Sequence, residues 1–269
     1  WMMGRIEATL AGMEQDFETY RLNEALKKIY SLIWDDFCDW YIEVSKSSDY
    51  QENMPAENLE RALGFFEILM KMLHPFMPFI TEEIWQRIQH RSAEEALTIS
   101  TWPQKSGNTY SNDVKLFGII QEQISAIRNI QAEMNLSPRA ELKILVKPSN
   151  ETLGQKLEST RWVFEKLLPV ESIQFDLNTQ KPKASAAAVV GGTEIFIPLE
   201  GLIDFEKERE RIEKEIGRLE GFLKGIEKKL ANEKFVENAP AEVVENERRK
   251  REDALSDLGK LKTQLSDYQ

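Results

Sequence analysis

Between Asp204 and Tyr268 apolar residues recur at the spacing of a two-helix coiled coil, and no other stretch limits the fold as strongly. Phe205, Ile212, Ile216, Leu219, Leu223, Ile226 and Leu230 form one series. From Ile212 onward its steps alternate between four and three, which keeps a narrow seam on one face of a supercoiled helix. The stretch Asn232-Glu-Lys-Phe-Val-Glu-Asn-Ala-Pro240 interrupts it, and Pro240 suits the first turn of a new helix. A second series follows at Val244, Arg248, Arg251, Leu255, Leu258, Lys262 and Leu265. The spacing predicts an antiparallel helical hairpin, an arm of about 40 Å. A seam so narrow is no globular core. The arm must reach a partner or brace another domain.

The arm also differs in charge. Residues 204–269 hold 17 acids and 15 Lys plus Arg, a net of −2, against −9 for the rest of a chain whose total is −11. Arg248-Arg-Lys-Arg251 is its one run of four bases, and Arg248 and Arg251 fall on the expected seam, where apolar side chains are the rule. Two readings stay open. Their stems can pass the seam to reach surface glutamates. Alternatively, the helices splay and the bases meet phosphates, with Lys224, Lys228 and Lys229 joining from the first helix.

The mean charge argues against a nucleic-acid partner, but local patches decide binding. With 269 residues the chain has room for one large domain or two to three small ones. Its one cysteine, Cys38, excludes an internal disulfide and a multi-cysteine zinc site, as suits a reducing cytoplasm. No apolar run has the length of a membrane span, and Trp1-Met-Met-Gly4 is no secretory signal. A start at Trp1 without an initiator Met suggests a piece of a longer chain.

Residues 1–107 read as a helical bundle. Leu22, Leu26, Ile29, Ile33, Phe37, Trp40 and Val44 repeat at helical spacing, and a second helix is expected from Pro55 to Leu73. His74-Pro-Phe-Met-Pro78 must end it, and Thr81-Glu82-Glu83 supplies a cap and first-turn acids for a short helix through Trp85. Residues 108–203 read as a small α/β junction unit. A helix from Asn112 to Glu133 precedes a strand at Ala140–Lys147, and a single helix from Glu151 to Leu168 follows. Further strands are expected at Ser172–Asp176, Ala186–Val190 and Thr193–Pro198, the last two joined at Gly191-Gly192. Residues 204–269 form the arm. The fold class is therefore mainly α: a bundle, an α/β junction and a C-terminal coiled-coil hairpin.

Catalytic constellations are missing: no phosphate loop ending in Lys-Ser/Thr, no Gly-x-Ser-x-Gly and no His-Glu-x-x-His. Of the two histidines, His74 at a helix end reads as a structural hydrogen-bonding group and His90 as solvated. The acidic pairs Glu82-Glu83 and Glu94-Glu95 read as helix-surface groups. No catalytic and no metal-binding residues are expected.

Six segments carry a family resemblance. Asn23-Glu-Ala-Leu26, Trp34-Asp-Asp-Phe-Cys-Asp-Trp-Tyr-Ile-Glu43 and Leu73-His-Pro-Phe-Met-Pro-Phe-Ile-Thr-Glu-Glu-Ile-Trp85 resemble the anticodon-binding domain of class I aminoacyl-tRNA synthetases. Ile127-Arg-Asn-Ile-Gln-Ala-Glu-Met-Asn135, Ile197-Pro-Leu-Glu-Gly-Leu-Ile-Asp204 and Lys229 to Val244 are similar to the C-terminal region of the bacterial valyl-tRNA synthetases. The resemblance implies an enzyme that joins valine to its tRNA at the expense of ATP. The family's ATP-handling motifs, His-Ile-Gly-His and Lys-Met-Ser-Lys-Ser, are absent here, so this stretch is expected to be inactive and to need no cofactor itself. The resemblance further implies that the bundle holds the anticodon stem-loop and that the arm touches the tRNA's outer corner. By position, Arg5, Arg21, Asn23 and Lys27 are its candidates on the bundle, and Lys224, Lys228, Lys229, Arg248, Arg249, Lys250 and Arg251 on the arm. Implied partners are a valine-specific tRNA and the catalytic domain of the same chain, in a cytoplasmic monomer. Two alternatives stay open: a protein-interaction coiled coil, and the equivalent region of a leucyl or isoleucyl enzyme.

Overall fold

The computed structural model describes residues 1–46, 54–202, 205–232 and 240–267. These form two compact units, Trp1–Ile127 with Ser149–Val170, and Arg128–Pro148 with Glu171–Gln269.

The first unit is a helical bundle. Helix α1 (Met2–Glu18) leads to α2 (Leu22–Ser31), which continues through a π-helical stretch, Leu32–Ile42, into α3 (Glu43–Ser45). Then come α4 (Ala56–Leu73), α5 (Pro78–Ile88), most of α6 (Ser111–Glu133), α7 (Glu151–Ser159) and α8 (Arg161–Leu167). Met2, Ile6, Leu10 and Met13 line one face of α1 at steps of three and four, and they meet Ala25, Ile29, Leu32, Phe37, Leu69, Met72 and Trp85 in one core. Each of the Leu, Ile, Met and Phe side chains fully removed from water contributes about 1.5–3 kcal/mol. Helix α1 approaches the start of α6 closely at Gly4, where a Cβ would lie 2.6 Å from Val114 Cγ2 and 2.7 Å from Tyr110 Cβ.

Two details of this unit differ from the sequence expectation. Thr81 is not the cap of α5. Pro78 takes the first helical position, where its missing N–H and fixed φ cost nothing. Thr81 is buried instead, its hydroxyl donating to the Met77 carbonyl at 2.8 Å and lying 2.7 Å from His74 Nδ1. His74 therefore has the structural role expected of it. The helix expected from Glu151 to Leu168 is broken at Thr160, whose hydroxyl reaches back to the Lys156 and Leu157 carbonyls at 2.9 and 3.1 Å. A side chain that satisfies the carbonyls of the preceding turn competes with helix propagation, and α7 ends there.

The second unit holds a four-stranded sheet of β1 (Leu142–Lys147), β2 (Val170–Phe175), β3 (Ser185–Val190) and β4 (Thr193–Pro198), in the order β2-β1-β4-β3. β4 runs antiparallel to both β1 and β3. Leu142, Ile144 and Val146 alternate onto the buried face, as their spacing predicts. Gly191 and Gly192 turn β3 into β4 with φ of 56° and 80°, the double positive φ a two-residue hairpin needs.

The arm consists of α9 (Phe205–Leu230) and α10 (Ala241–Asp267), 26 and 27 residues long, so each spans about 40 Å. Most of the expected interruption, residues 233–239, lies outside the described residues. On α9 the seam is Ile212, Leu219, Leu223 and Ile226, with Ile216 and Leu230 half-buried. On α10 the expected seam is rotated by one residue at alternate positions. Glu247, Ala254 and Leu261 face α9, whereas Arg248, Leu255 and Lys262 are exposed. The spacing of the expected series places Leu255, not Ala254, on the seam. The packed pair prefers the small alanine between Leu219 and Leu223, where a leucine would hold the helices apart.

Candidate nucleic-acid interface

Helix α2 and its π-helical continuation are apolar on two sides. One side, with Ala25, Ile29, Leu32 and Phe37, enters the core. The other carries Leu22 (55 % exposed), Leu26, Tyr30 and Trp34 (57 %) at steps of four. Tyr30 and Trp34 stack in the open, their ring centroids 6.4 Å apart and their planes 9° from parallel. An apolar stripe of this length facing water marks an interaction surface, and the flat faces of its rings suit unpaired bases. Sequence reasoning places Leu22, Leu26 and Trp34 on the apolar stripe that packs the bundle and does not single out Tyr30. The signal was a helix with more apolar positions than one face can bury.

The four candidate residues of the bundle divide. Asn23 and Lys27 flank the stripe at a step of four; both are exposed, and Lys27 pairs with Glu24 of its own helix, at 2.8 Å. Arg21 sits at the α1–α2 corner, 57 % exposed, with one guanidinium nitrogen 3.6 Å from Asp16 and Nε donating to the Thr19 hydroxyl. Arg5 is engaged otherwise: its Nε donates to Asp36 Oδ2 at 2.9 Å, tying α1 to the π-helical stretch. Burial pushes the Asp36 carboxyl up, against the pull of the Arg5 charge. Lys28, which sequence reasoning passed over, joins Arg21 on the buried Asp16.

The seven candidates of the arm do not form one patch. Glu247, only 7 % exposed in the seam, accepts from Lys229 at 3.2 Å across the helices and from Lys250 at 3.0 Å. These two bonds, Lys250's first, hold its carboxyl below the usual range. Arg251 reaches Glu227 on α9 at 3.7 Å, and Arg248 reaches Glu245 at the same distance. With Leu230, Glu252 and Leu255, the two arginines line an open cavity of about 510 Å³. Lys224, Lys228 and Arg249 point outward from the two helices, all three exposed. The first of the two readings holds at one residue of the run. Arg251 stretches to a glutamate of the facing helix, while Arg249 and much of Arg248 stay available to anions. Glu247 escaped the sequence reading because a carboxylate was not sought on a seam, although the three-then-four steps from Val244 to Leu265 pass through it.

Among the described residues no group of three or more His, Cys, Asp or Glu could hold a metal ion. No described helix is long and apolar enough to cross a membrane. Comparison with known proteins bears on both surfaces. A family model described as the anticodon-binding domain of tRNA ligase matches residues 1–146, and one described as the valyl tRNA synthetase tRNA binding arm matches residues 204–269. Similar proteins include the valine–tRNA ligases of Oceanobacillus iheyensis, 37 % identical over 99 % of this chain, and of Chlorobaculum tepidum, 37 % identical over 98 %. That of Geobacillus stearothermophilus is 36 % identical over 99 %. The chain spans about 30 % of the length of each of these relatives.

Proposed function

Because the chain belongs to the tRNA-ligase family defined by the anticodon-binding domain, we propose that it is the tRNA-holding C-terminal part of a valine–tRNA ligase. In this reading residues 1–107 receive the anticodon stem-loop, residues 108–203 join bundle to arm, and residues 204–269 contact the outer corner of a valine-specific tRNA. The observation that carries it is the second apolar face of α2, with Tyr30 and Trp34 stacked in solvent on a bundle of the anticodon-binding type. Unpaired loop bases can stack on these rings while Asn23 and Lys27 address base edges and phosphate. The arm contributes cations to the phosphate backbone, and its salt-sensitive attraction is local to a chain of net −11.

Aminoacylation itself, with its ATP, belongs in this proposal to a catalytic domain of the same polypeptide. The enzyme acts as a cytoplasmic monomer, since α9 and α10 close the arm's seam within one chain. Filter binding at low salt with magnesium tests the reading. The chain should retain a valine-acceptor tRNA, lose affinity when the anticodon loop is replaced, and catalyse no valine-dependent ATP–pyrophosphate exchange. Equal affinity for the loop-replaced tRNA would remove the bundle from the interface.

A further inference from the structure

We propose that Tyr20 is a stacking platform for an unpaired RNA base, held out at the α1–α2 corner by a strained backbone; this rests on the anticodon-side reading above. Two helices of the chain end with the same hydrogen-bond pattern. After α1, Arg21 N donates to Asp16 O at 2.8 Å and Tyr20 N to Phe17 O at 3.1 Å. After α6, Leu136 N donates to Gln131 O at 2.8 Å and Asn135 N to Ala132 O at 3.1 Å. This closure turns the residue just past the helix into the left-handed region, where glycine or asparagine is strained least.

At α6 that residue is Asn135, with φ 51°; at α1 it is Tyr20, with φ 56°. The two ends also differ in burial. Leu136 packs away at 8 % exposed, the apolar contact that usually accompanies such a cap. The Tyr20 ring is 90 % exposed and Arg21 after it is 57 % exposed. A bulky aromatic thus occupies the position least suited to it, with no burial to compensate. Backbone strain of that kind persists at sites of function. The surroundings fit RNA better than protein, because Arg21 and Asn23 bring a guanidinium and an amide to the same corner, where the centre of a protein interface is depleted of charge.

Fluorescence titration with an anticodon stem-loop carrying 2-aminopurine at successive loop positions tests the assignment. One position should be quenched on binding. Tyr20→Ala should abolish that quench and weaken binding on the order of ten-fold, while Tyr20→Trp should preserve both. Tyr20→Gly should weaken binding equally yet raise the melting temperature, because glycine relaxes the backbone. A Tyr20→Gly chain that binds like the unaltered one, or that melts lower, overturns the proposal. If the Tyr20 variants bind normally while Trp34→Ala does not, the platform lies on α2 and the anticodon-side reading stands without Tyr20. If the unaltered chain fails to bind the stem-loop at low salt, the underlying reading falls and this proposal with it.

Discussion

The bundle surrounds its apolar side chains, whereas the arm only lays two faces together. Leu10, Met13, Ile29, Leu69 and Met72 are at most 1 % exposed, each enclosed by several helices. In the arm, Leu219 and Leu223 keep 9 % and 7 % exposure and pack on Ala254, Leu258 and Leu261 of the opposite helix. The same apolar residue types therefore carry different weight in the two places. A bundle side chain is locked by neighbours on every side, and an arm side chain can relax into solvent. The bundle's polar exceptions are likewise tied inward, as Arg5 is to Asp36, while the arm's cations stay near its surface.

Truncation separates the two most strongly. Leu69→Ala should cost about 2–5 kcal/mol, because a closed core cannot collapse around the missing volume. Leu223→Ala should cost well under half of that and leave the bundle's thermal transition in place. The check is a pair of denaturant melts that follow tryptophan fluorescence, all six tryptophans lying outside the arm. A bundle transition shifted as far by Leu223→Ala as by Leu69→Ala would show that the arm belongs to the core.

Glycine gives the comparison a sign. Gly4→Ala forces a methyl to within 2.6 Å of Val114 and should destabilise by about 1–3 kcal/mol. Gly221→Ala, on the outer face of α9 with nothing within 4 Å, should stabilise the arm by roughly 0.5–1 kcal/mol through helix propensity. Circular dichroism melts read both, and a destabilising Gly221→Ala would reveal a close neighbour on that face.

Acid pulls the two units in opposite directions. The Asp36 carboxyl is raised by burial, so its contribution is fully present below its unfolded value and lost as pH rises through the folded one. Glu247 is lowered by Lys250 and Lys229, so its contribution is present above its unfolded value and lost as pH falls through the folded one. Relative to Asp36→Asn, the unaltered chain should gain stability as pH drops from 7 towards 4. Relative to Glu247→Gln, it should lose stability below about pH 4.5. Parallel pH series of melts decide it, and a Glu247→Gln difference that stays constant with pH would mean that the seam carboxylate holds no net charge–charge advantage.

Legibility in the sequence divides along the same line. Period-two spacing located β1 and heptad spacing both arm helices, because in these elements one periodicity governs burial, and Gly191-Gly192 marked the turn between β3 and β4. His74-Pro-Phe-Met-Pro78 ended α4 as proline chemistry requires. Positions chosen by three-dimensional contact were not legible. Ala254 displaced Leu255 from the seam through steric fit, Thr160 broke a helix by bonding backward, and Arg5 was drawn to a carboxylate 31 residues away. The candidate site was least legible where it is apolar. Tyr30 and Trp34 have core composition and helical spacing, and only the packing of the other face shows that they are left over.

The smallest effect on stability carries the sharpest functional contrast. If the bundle binds by stacking and the arm by charge, salt should tell them apart. Trp34→Ala should weaken tRNA binding by a similar factor at every salt concentration, because stacking releases no counterions. Arg249→Ala should weaken it most at low salt and flatten the log–log slope by somewhat under one unit, the signature of one lost phosphate contact. Arg249 suits the test: it is exposed, its contact with Asn246 is long at 3.5 Å, and alanine favours helix. Lys250→Ala differs, since it also strips a partner from Glu247 and so mixes arm stability with charge. An unchanged slope in Arg249→Ala, with the arm still helical, would remove that residue from the interface and turn the search to Lys224 and Lys228 on α9. A flattened slope in Trp34→Ala would mean that the bundle's rings act by placing a cation rather than by stacking, and the contrast between the two surfaces would dissolve.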